Sequence, residues 1–253
     1  MGAIISVVNQ KGGVGKTTTS VNLATTVALE GKRVLFVDLD PQANGSSGLG
    51  IDVGGIEKGI YELISGDATH DEVTIVRDGN QCHVLPATGA LAGASVELVT
   101  AEDREYVLQR ALDHYRESYD YIFIDCPPSL GLLTVNALVA SDYVLIPVQA
   151  EYYALEGLTQ LVETIELVRE HLQPRLEILG AVVTMYDKRY RLSESVLMEL
   201  YRHFPQKIFR TVIPRNVRLA EAPSHGKTIF HYDKSSRGAR AYERLGKEFL
   251  TMF

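Results

Sequence analysis

The sequence predicts an α/β fold: a doubly wound, mostly parallel sheet with helices on both faces. Three observations point there. Short β-branched runs alternate with longer amphipathic segments, the pattern of strands covered by helices. Most of the runs are apolar throughout, as strands buried on both faces are. The first run passes directly into a Gly-rich segment and then a helical pattern, the order in which such sheets build anion sites.

In chain order, Ile4–Val8 reads as the first strand and Thr17–Leu29 as the first helix, with Gly31 placed to end it. Val34–Val37 is the second strand. Asn44–Gly55 follows, with five Gly and two Ser, and reads as the one flexible loop, after a carboxylate-bearing strand end where α/β sheets place ligands. The strand His83–Leu85, the helix Arg104–Tyr115, and the strands Tyr121–Ile124 and Val144–Val148 come next. The helix Leu155–His171, the strand Ile178–Thr184, the helix Ser193–His203, the strand Phe209–Ile213 and the helix Arg237–Met252 complete the series. No repeat, linker or low-complexity tract interrupts them, so residues 1–253 are expected to form one domain.

The composition is that of a globular protein, with 45% hydrophobic and 23% charged residues. Cys82 and Cys126 lie far apart with no second thiol nearby, which argues against a disulfide framework or a zinc site and fits a reducing cytoplasm. No basic leader precedes the first strand, and no apolar stretch reaches the ~18 residues of a membrane span. The net charge of −7 conceals a division near residue 183. Before it stand 11 Lys and Arg against 25 Asp and Glu, a balance of −14; after it stand 14 against 7, a balance of +7. The basic tail is the part able to face polyanions.

The segment Lys11-Gly12-Gly13-Val14-Gly15-Lys16-Thr17-Thr18 lies between the first strand and the first helix. Glycines let backbone N–H groups curl around phosphate oxygens, and the helix N-terminus adds partial positive charge. In such a phosphate loop Lys16 reaches the β- and γ-phosphates and the Thr17 hydroxyl holds Mg²⁺. The strict pattern fails at its first position, where Gln10 stands in place of Gly. Asp38 and Asp40 lie two apart at one strand end, so they share a face, and Asp125 ends another apolar strand. Three acids beside a phosphate loop call for a cation, and Mg²⁺, which bridges substrate phosphates, is the obvious one. A helix cap or turn role stays open for each, more for Asp38 than for Asp125 or for Asp40, which precedes Pro41.

The runs K-G-G-V-G-K-T-T at Lys11–Thr18, D-L-D-P-Q at Asp38–Gln42 and I-D-C-P-P-S at Ile124–Ser129 together resemble the ParA/MinD family of deviant Walker ATPases, within it the short chromosomal ParA (Soj) type. M-Y-D-K-R at Met185–Arg189 and P-R-N-V-R-L-A-E-A-P-S at Pro214–Ser224 extend the resemblance over nearly the whole chain. It implies a P-loop NTPase-like fold, ATP and Mg²⁺ as ligands, and slow, partner-stimulated hydrolysis to ADP and phosphate. By the same resemblance Lys11 is the signature lysine that crosses a dimer interface to the partner's ATP. A solvated loop lysine is the plainer alternative. Asp125 corresponds to the Walker B acid, acting through a metal-bound water. Asp38 corresponds to a supporting acid near Mg²⁺ and Thr17, and Asp40 to the residue orienting the attacking water. Met185, Pro214 and Asn216 fall where the family binds adenine, although Asn216 is equally placed to cap a helix starting at Val217.

The resemblance further implies that basic residues of this region hold double-stranded DNA without sequence preference in an ATP-bound homodimer, with Arg189 and Arg218 in the matching motifs; Lys188, Arg215, Lys227, Arg237 and Arg240 join them as candidates by their place in the basic tail. Arg191 and Lys234 lie among them, and a solvated face is the alternative for the whole group. The implied role is chromosome or plasmid partitioning on the nucleoid, with a ParB-like centromere-binding partner. The chain starts at its first strand, so no helix-turn-helix domain is expected ahead of it. A membrane-bound division regulator would need a cationic amphipathic tail, but Tyr242–Phe253 mixes Glu243 and Glu248 with Arg244 and Lys247. An iron–sulfur reductase on this fold needs more suitably placed thiolates, so both cysteines read as small buried hydrophobes. A ligase of the dethiobiotin-synthetase kind leaves Lys11 without a purpose.

Overall fold

The computed structural model describes residues 1–79, 81–100, 102–151, 154–205 and 207–253, and of residues 95, 96, 100, 154–156, 191–193, 195 and 203 the backbone only. Six strands form one sheet: β1 (Ala3–Val7), β2 (Val34–Asp38), β3 (His83–Leu85), β4 (Tyr121–Asp125), β5 (Tyr143–Gln149) and β6 (Glu177–Thr184). Their order is β3-β2-β4-β1-β5-β6, and every neighbouring pair is parallel.

The strands alternate between two cores with the period-two geometry of a pleated strand. Ile4, Leu35, Val37, Ile122 and Ile124 join one core, under the helices Val107–Asp113, Leu132–Ala140 and Ala154–His171. Ile5, Val7, Val34, Phe36 and Phe123 join the other, under the helices Lys16–Leu29 and Arg237–Leu250. Asp125 pairs in register with both Val7 and Asp38, so the carboxyl ends of β1, β2 and β4 finish level. The chain leaves β1 toward β2 on one side and later crosses to β5 on the other. The resulting crevice is where doubly wound sheets bind ligands.

The six strands and the helix Lys16–Leu29 fall within two residues of the expected bounds, and Gly31, at φ +83°, ends that helix. The seventh expected strand, Phe209–Ile213, is not a strand. Phe209 N donates to Ala181 O (2.9 Å) and Ile213 N to Val183 O (2.8 Å), but Arg210 N and Thr211 N donate to the Glu248 carboxylate at 2.6 and 2.9 Å. A side chain of the last helix therefore closes the sheet edge. The helix expected over Arg104–Tyr115 shrinks to Val107–Asp113, because Asn136 holds Arg104 O and Leu108 N in a turn.

Asn44–Gly55 is not a flexible loop. It contains a short helix, Asn44–Gly48, and a 3-10 turn at Val53–Gly55. A Cβ on Gly45 would stand 2.8 Å from the Phe36 ring and 3.0 Å from Asp38 Oδ2, so this glycine marks close packing against β2. The helix Leu132–Ala140 escapes sequence periodicity because it is apolar nearly all round.

Candidate functional site

The phosphate loop connects β1 to the helix that starts at Lys16, with Gly13 at φ +74° and Gly15 at φ +85°, conformations that L side chains adopt only with strain. Asn9 fixes the approach to the loop: its Nδ2 donates to Pro147 O (2.8 Å) and its Oδ1 accepts from Lys11 N (2.9 Å). Gln10, where the strict motif has Gly, donates to Gly157 O (2.9 Å) and ties the loop to the helix Ala154–His171. Thr184 donates to Val14 O (2.7 Å) from the end of β6. Lys16 folds back over the loop, Nζ donating to Lys11 O at 3.0 Å, and is only 6% exposed. Burial lowers the pKa of its ammonium, against the attraction of Asp125.

The acids lie where the strand ends predict. Asp38 and Asp125 are fully buried and Asp40 is 7% exposed. Asp38 Oδ2 accepts from Ser46 N (2.6 Å) and Ser46 Oγ (2.7 Å), while its Oδ1 accepts from Asp40 N (3.2 Å). Asp125 Oδ1 accepts from Ser20 Oγ at 2.8 Å; its Oδ2 accepts no hydrogen bond of ordinary geometry, and the Thr17 hydroxyl is close enough to favour the charged carboxylate. Asp40 Oδ1 accepts from Gln42 N at 3.0 Å, so the turn role open to it in the sequence is filled by one of its oxygens. Burial raises both Asp38 and Asp125 above the usual carboxylate range; the Asp38 charge adds to the effect at Asp125, and Ser46 opposes it at Asp38.

A buried carboxylate oxygen that lacks an ordinary hydrogen bond, beside a lysine and a phosphate loop, fits a divalent cation. Among the described residues no cluster of three or more His, Cys, Asp and Glu could hold a metal by itself. The donor set therefore suits a hard cation that arrives with phosphates and keeps its waters: the Thr17 hydroxyl is placed to contact it, Asp125 to accept from one of its waters, and Asp38 is fixed by Ser46.

Met185, Pro214 and Asn216 line one pocket of about 180 Å³ together with Gly15, Thr18 and Tyr242, so the structure joins the expected base-binding residues to the phosphate loop. Asn216 also caps the helix Val217–Glu221, its Oδ1 accepting from Arg218 N at 2.9 Å, which leaves its amide N–H₂ as the donor. Sequence reasoning missed Ser20, Ser46 and Tyr242. Ser46 was hidden in the Gly/Ser stretch, and nothing marks Tyr242, whose hydroxyl meets Thr19 Oγ1 at 3.1 Å from the far end of the chain.

Lys188, Arg189, Arg215, Arg218, Lys227, Arg237 and Arg240 are all exposed. The Tyr186–Pro214 bridge brings the segment of Lys188 and Arg189 to that of Arg215, and Arg218 also contacts Asp233 at 3.6 Å. Three of these charges are already paired: Arg189 with Asp187 (2.6 Å), Arg215 with Glu151 (3.5 Å) and Arg218 with Glu221 (2.8 Å). The side chain of Arg191 lies outside the described residues. Cys82 and Cys126 are both buried, as expected of small hydrophobes.

A family model described as "AAA domain" matches residues 2–178. "Sporulation initiation inhibitor protein Soj" of Bacillus subtilis is 55% identical over 98% of this chain and 98% of its own length. "Chromosome-partitioning ATPase Soj" of Thermus thermophilus is 54% identical over 97% of this chain and 94% of its own. Among solved structures, one of Mycobacterium smegmatis described as cobyrinic acid a,c-diamide synthase with bound ADP and magnesium superposes with a TM-score of 0.86 at 36% identity, over 99% of this chain and 94% of the other. That description names a different chemistry on the same fold, and the partitioning proteins are the nearer in sequence.

Proposed function

The chain belongs to the Soj/ParA family of chromosome-partitioning ATPases, and from that premise we propose that it is a nucleotide-dependent switch. In this reading it binds Mg·ATP, dimerises around the nucleotide, holds DNA without sequence preference and hydrolyses ATP slowly until a ParB-like partner stimulates it. Its place would be the cytoplasm, on the nucleoid, in chromosome or plasmid partitioning. Residues 1–253 act in it as one unit.

The observation that carries the proposal is the buried Asp125 carboxylate, whose Oδ2 accepts no hydrogen bond of ordinary geometry, level with Asp38 and within electrostatic reach of Lys16 and Thr17. A bound Mg²⁺ would supply neutralisation of the charge on the phosphates. Lys16 exchanges its bond to Lys11 O for the β- and γ-phosphates. Gly12 to Gly15 offer backbone N–H groups to phosphate oxygens, while Thr17 would hold the cation directly and Asp125 through one of its waters. Met185, Pro214 and Asn216 enclose the base. Lys11, half-exposed at the loop's edge, is free to reach a second copy's phosphates, as an arginine finger does. Asp40 presents its second carboxylate oxygen to the attacking water.

The tail helix supports a reading without a membrane. Tyr242, Leu245 and Phe249 are buried against the core, so its apolar face is occupied, and no described helix is long and apolar enough to cross a bilayer. ATP turnover measured with and without plasmid DNA, beside light scattering in ATP and ADP, tests the proposal. The expected result is slow turnover and a dimer in ATP alone. Rapid turnover by a constant monomer would defeat it.

A further inference from the structure

The basic tail does not hold all the basic surface. A cleft of about 340 Å³ opens beside it, lined by Arg77, Lys227 and His231 with Thr25, Gln81 and Thr228. None of the described residues lining it is Asp or Glu. Arg77 is half-buried and held in place by its Nη1, which donates to Leu49 O at 2.8 Å; the remaining donors of the guanidinium stay available. His231 is oriented by Thr228 Oγ1 at 2.9 Å from its Nδ1. By contrast, Arg189, Arg215 and Arg218 each already have a carboxylate partner. A phosphate approaching them must displace or share that partner, whereas one entering the cleft meets two uncompensated cations, one of them pre-positioned.

We propose that this cleft seats a backbone phosphate of DNA, with Arg77 and Lys227 as its cations and His231 as a further donor. The proposal rests on the DNA-binding reading above and extends its footprint beyond the basic tail to Arg77, in the acidic part of the chain. The wall formed by Leu49 and Gly50 continues from the short helix whose Ser46 holds Asp38, so the seat and the metal-site acid share one element. A Cβ on Gly50 would stand 2.8 Å from Gly226 O, so this wall lies against the segment that carries Lys227.

The test is DNA affinity of the full chain in Mg²⁺ and a non-hydrolysable ATP analogue, across a salt series, for wild type, Arg77→Gln, Lys227→Gln and a remote control, Arg202→Gln. Glutamine at position 77 keeps a donor for Leu49 O, and unchanged ATP affinity and circular dichroism will show that the variant is folded. With one seat per protomer, each cleft variant should lower DNA affinity on the order of tenfold per cleft. The log–log salt slope of the dimer should flatten by about 1.8, from roughly 0.9 per lost phosphate contact. The control should change neither. An Arg77→Gln variant with the wild-type slope, beside an Arg218→Glu variant that has lost DNA, would overturn the proposal and leave the switch reading standing. Wild type that binds no DNA in the ATP state would overturn both. Inorganic phosphate at constant ionic strength should weaken DNA binding by wild type more than by Arg77→Gln. Phosphate that protects the cleft yet leaves DNA affinity untouched would make it a small-anion site and overturn the proposal.

Discussion

Replacing Asp125 with Asn should stabilise the metal-free protein while removing its response to Mg·ATP. Asp38 and Asp125 are buried in register on adjacent strands, which lie about 4.8 Å apart. At that separation two like charges repel by roughly 3 kcal/mol at an effective dielectric constant of ~20. Asparagine keeps Oδ1 as the acceptor for Ser20, and its amide nitrogen replaces an oxygen that accepted no hydrogen bond of ordinary geometry. For a chain of this size, ~2–4 °C per kcal/mol sets a ceiling of about 6–12 °C. Scanning calorimetry in EDTA at pH 8 measures this, and in Mg·ATP wild type should gain stability while the variant gains little. A variant that melts at or below wild type in EDTA would refute the argument that these acids lack a cation. The pH dependence follows with its sign. Both carboxyls are raised by burial, so their contribution is full below the ordinary carboxylate range and is lost as pH rises through their raised values. The stability difference between the metal-free variant and wild type should therefore grow from pH 5 to pH 8.

Lys16→Ala should cost at least a hundredfold in ATP affinity, since two charge-assisted bonds to phosphate contribute about 3 kcal/mol or more; calorimetric titration with normal affinity would exclude the phosphate-loop assignment. Lys11→Ala should bind ATP normally yet remain monomeric by light scattering, and an unchanged ATP-dependent dimer would remove its role in trans. Asp40→Ala should retain ATP and dimer while turnover falls by ~10² or more, because positioning water is a transition-state task; normal turnover would assign the water to another residue.

Much of the fold and site is legible in the sequence because the sheet is parallel and buried. Apolar runs such as Tyr121–Ile124 have few alternatives to a central strand, and the acids after them fall at its carboxyl end by necessity. Local chemistry likewise announces the phosphate loop, where Gly13 and Gly15 need left-handed backbone and Lys16 begins the helix. The failures come from contacts distant in sequence. Nothing near Arg210 and Thr211 says that Glu248 will take their N–H groups and end a strand. Glycine and serine at Asn44–Gly48 resemble a loop until Phe36 and Asp38 are known to press on them. The basic tail is visible as composition, but Asp187, Glu151 and Glu221 decide which of its charges are free.

Nucleotide-dependent DNA binding is the central claim, and one series tests it most directly: affinity of the wild-type chain for unrelated DNA duplexes in ATP analogue, in ADP and without nucleotide, at several salt concentrations. Tight binding in the ATP state alone is expected, alike for all duplexes. With about six phosphates neutralised by a dimer, affinity should fall by about 10³ between ~50 and ~200 mM salt. Charge reversal at Arg189 and Arg218 should flatten that dependence. Affinity that is equal in all three nucleotide states, or that ignores salt, would contradict the account.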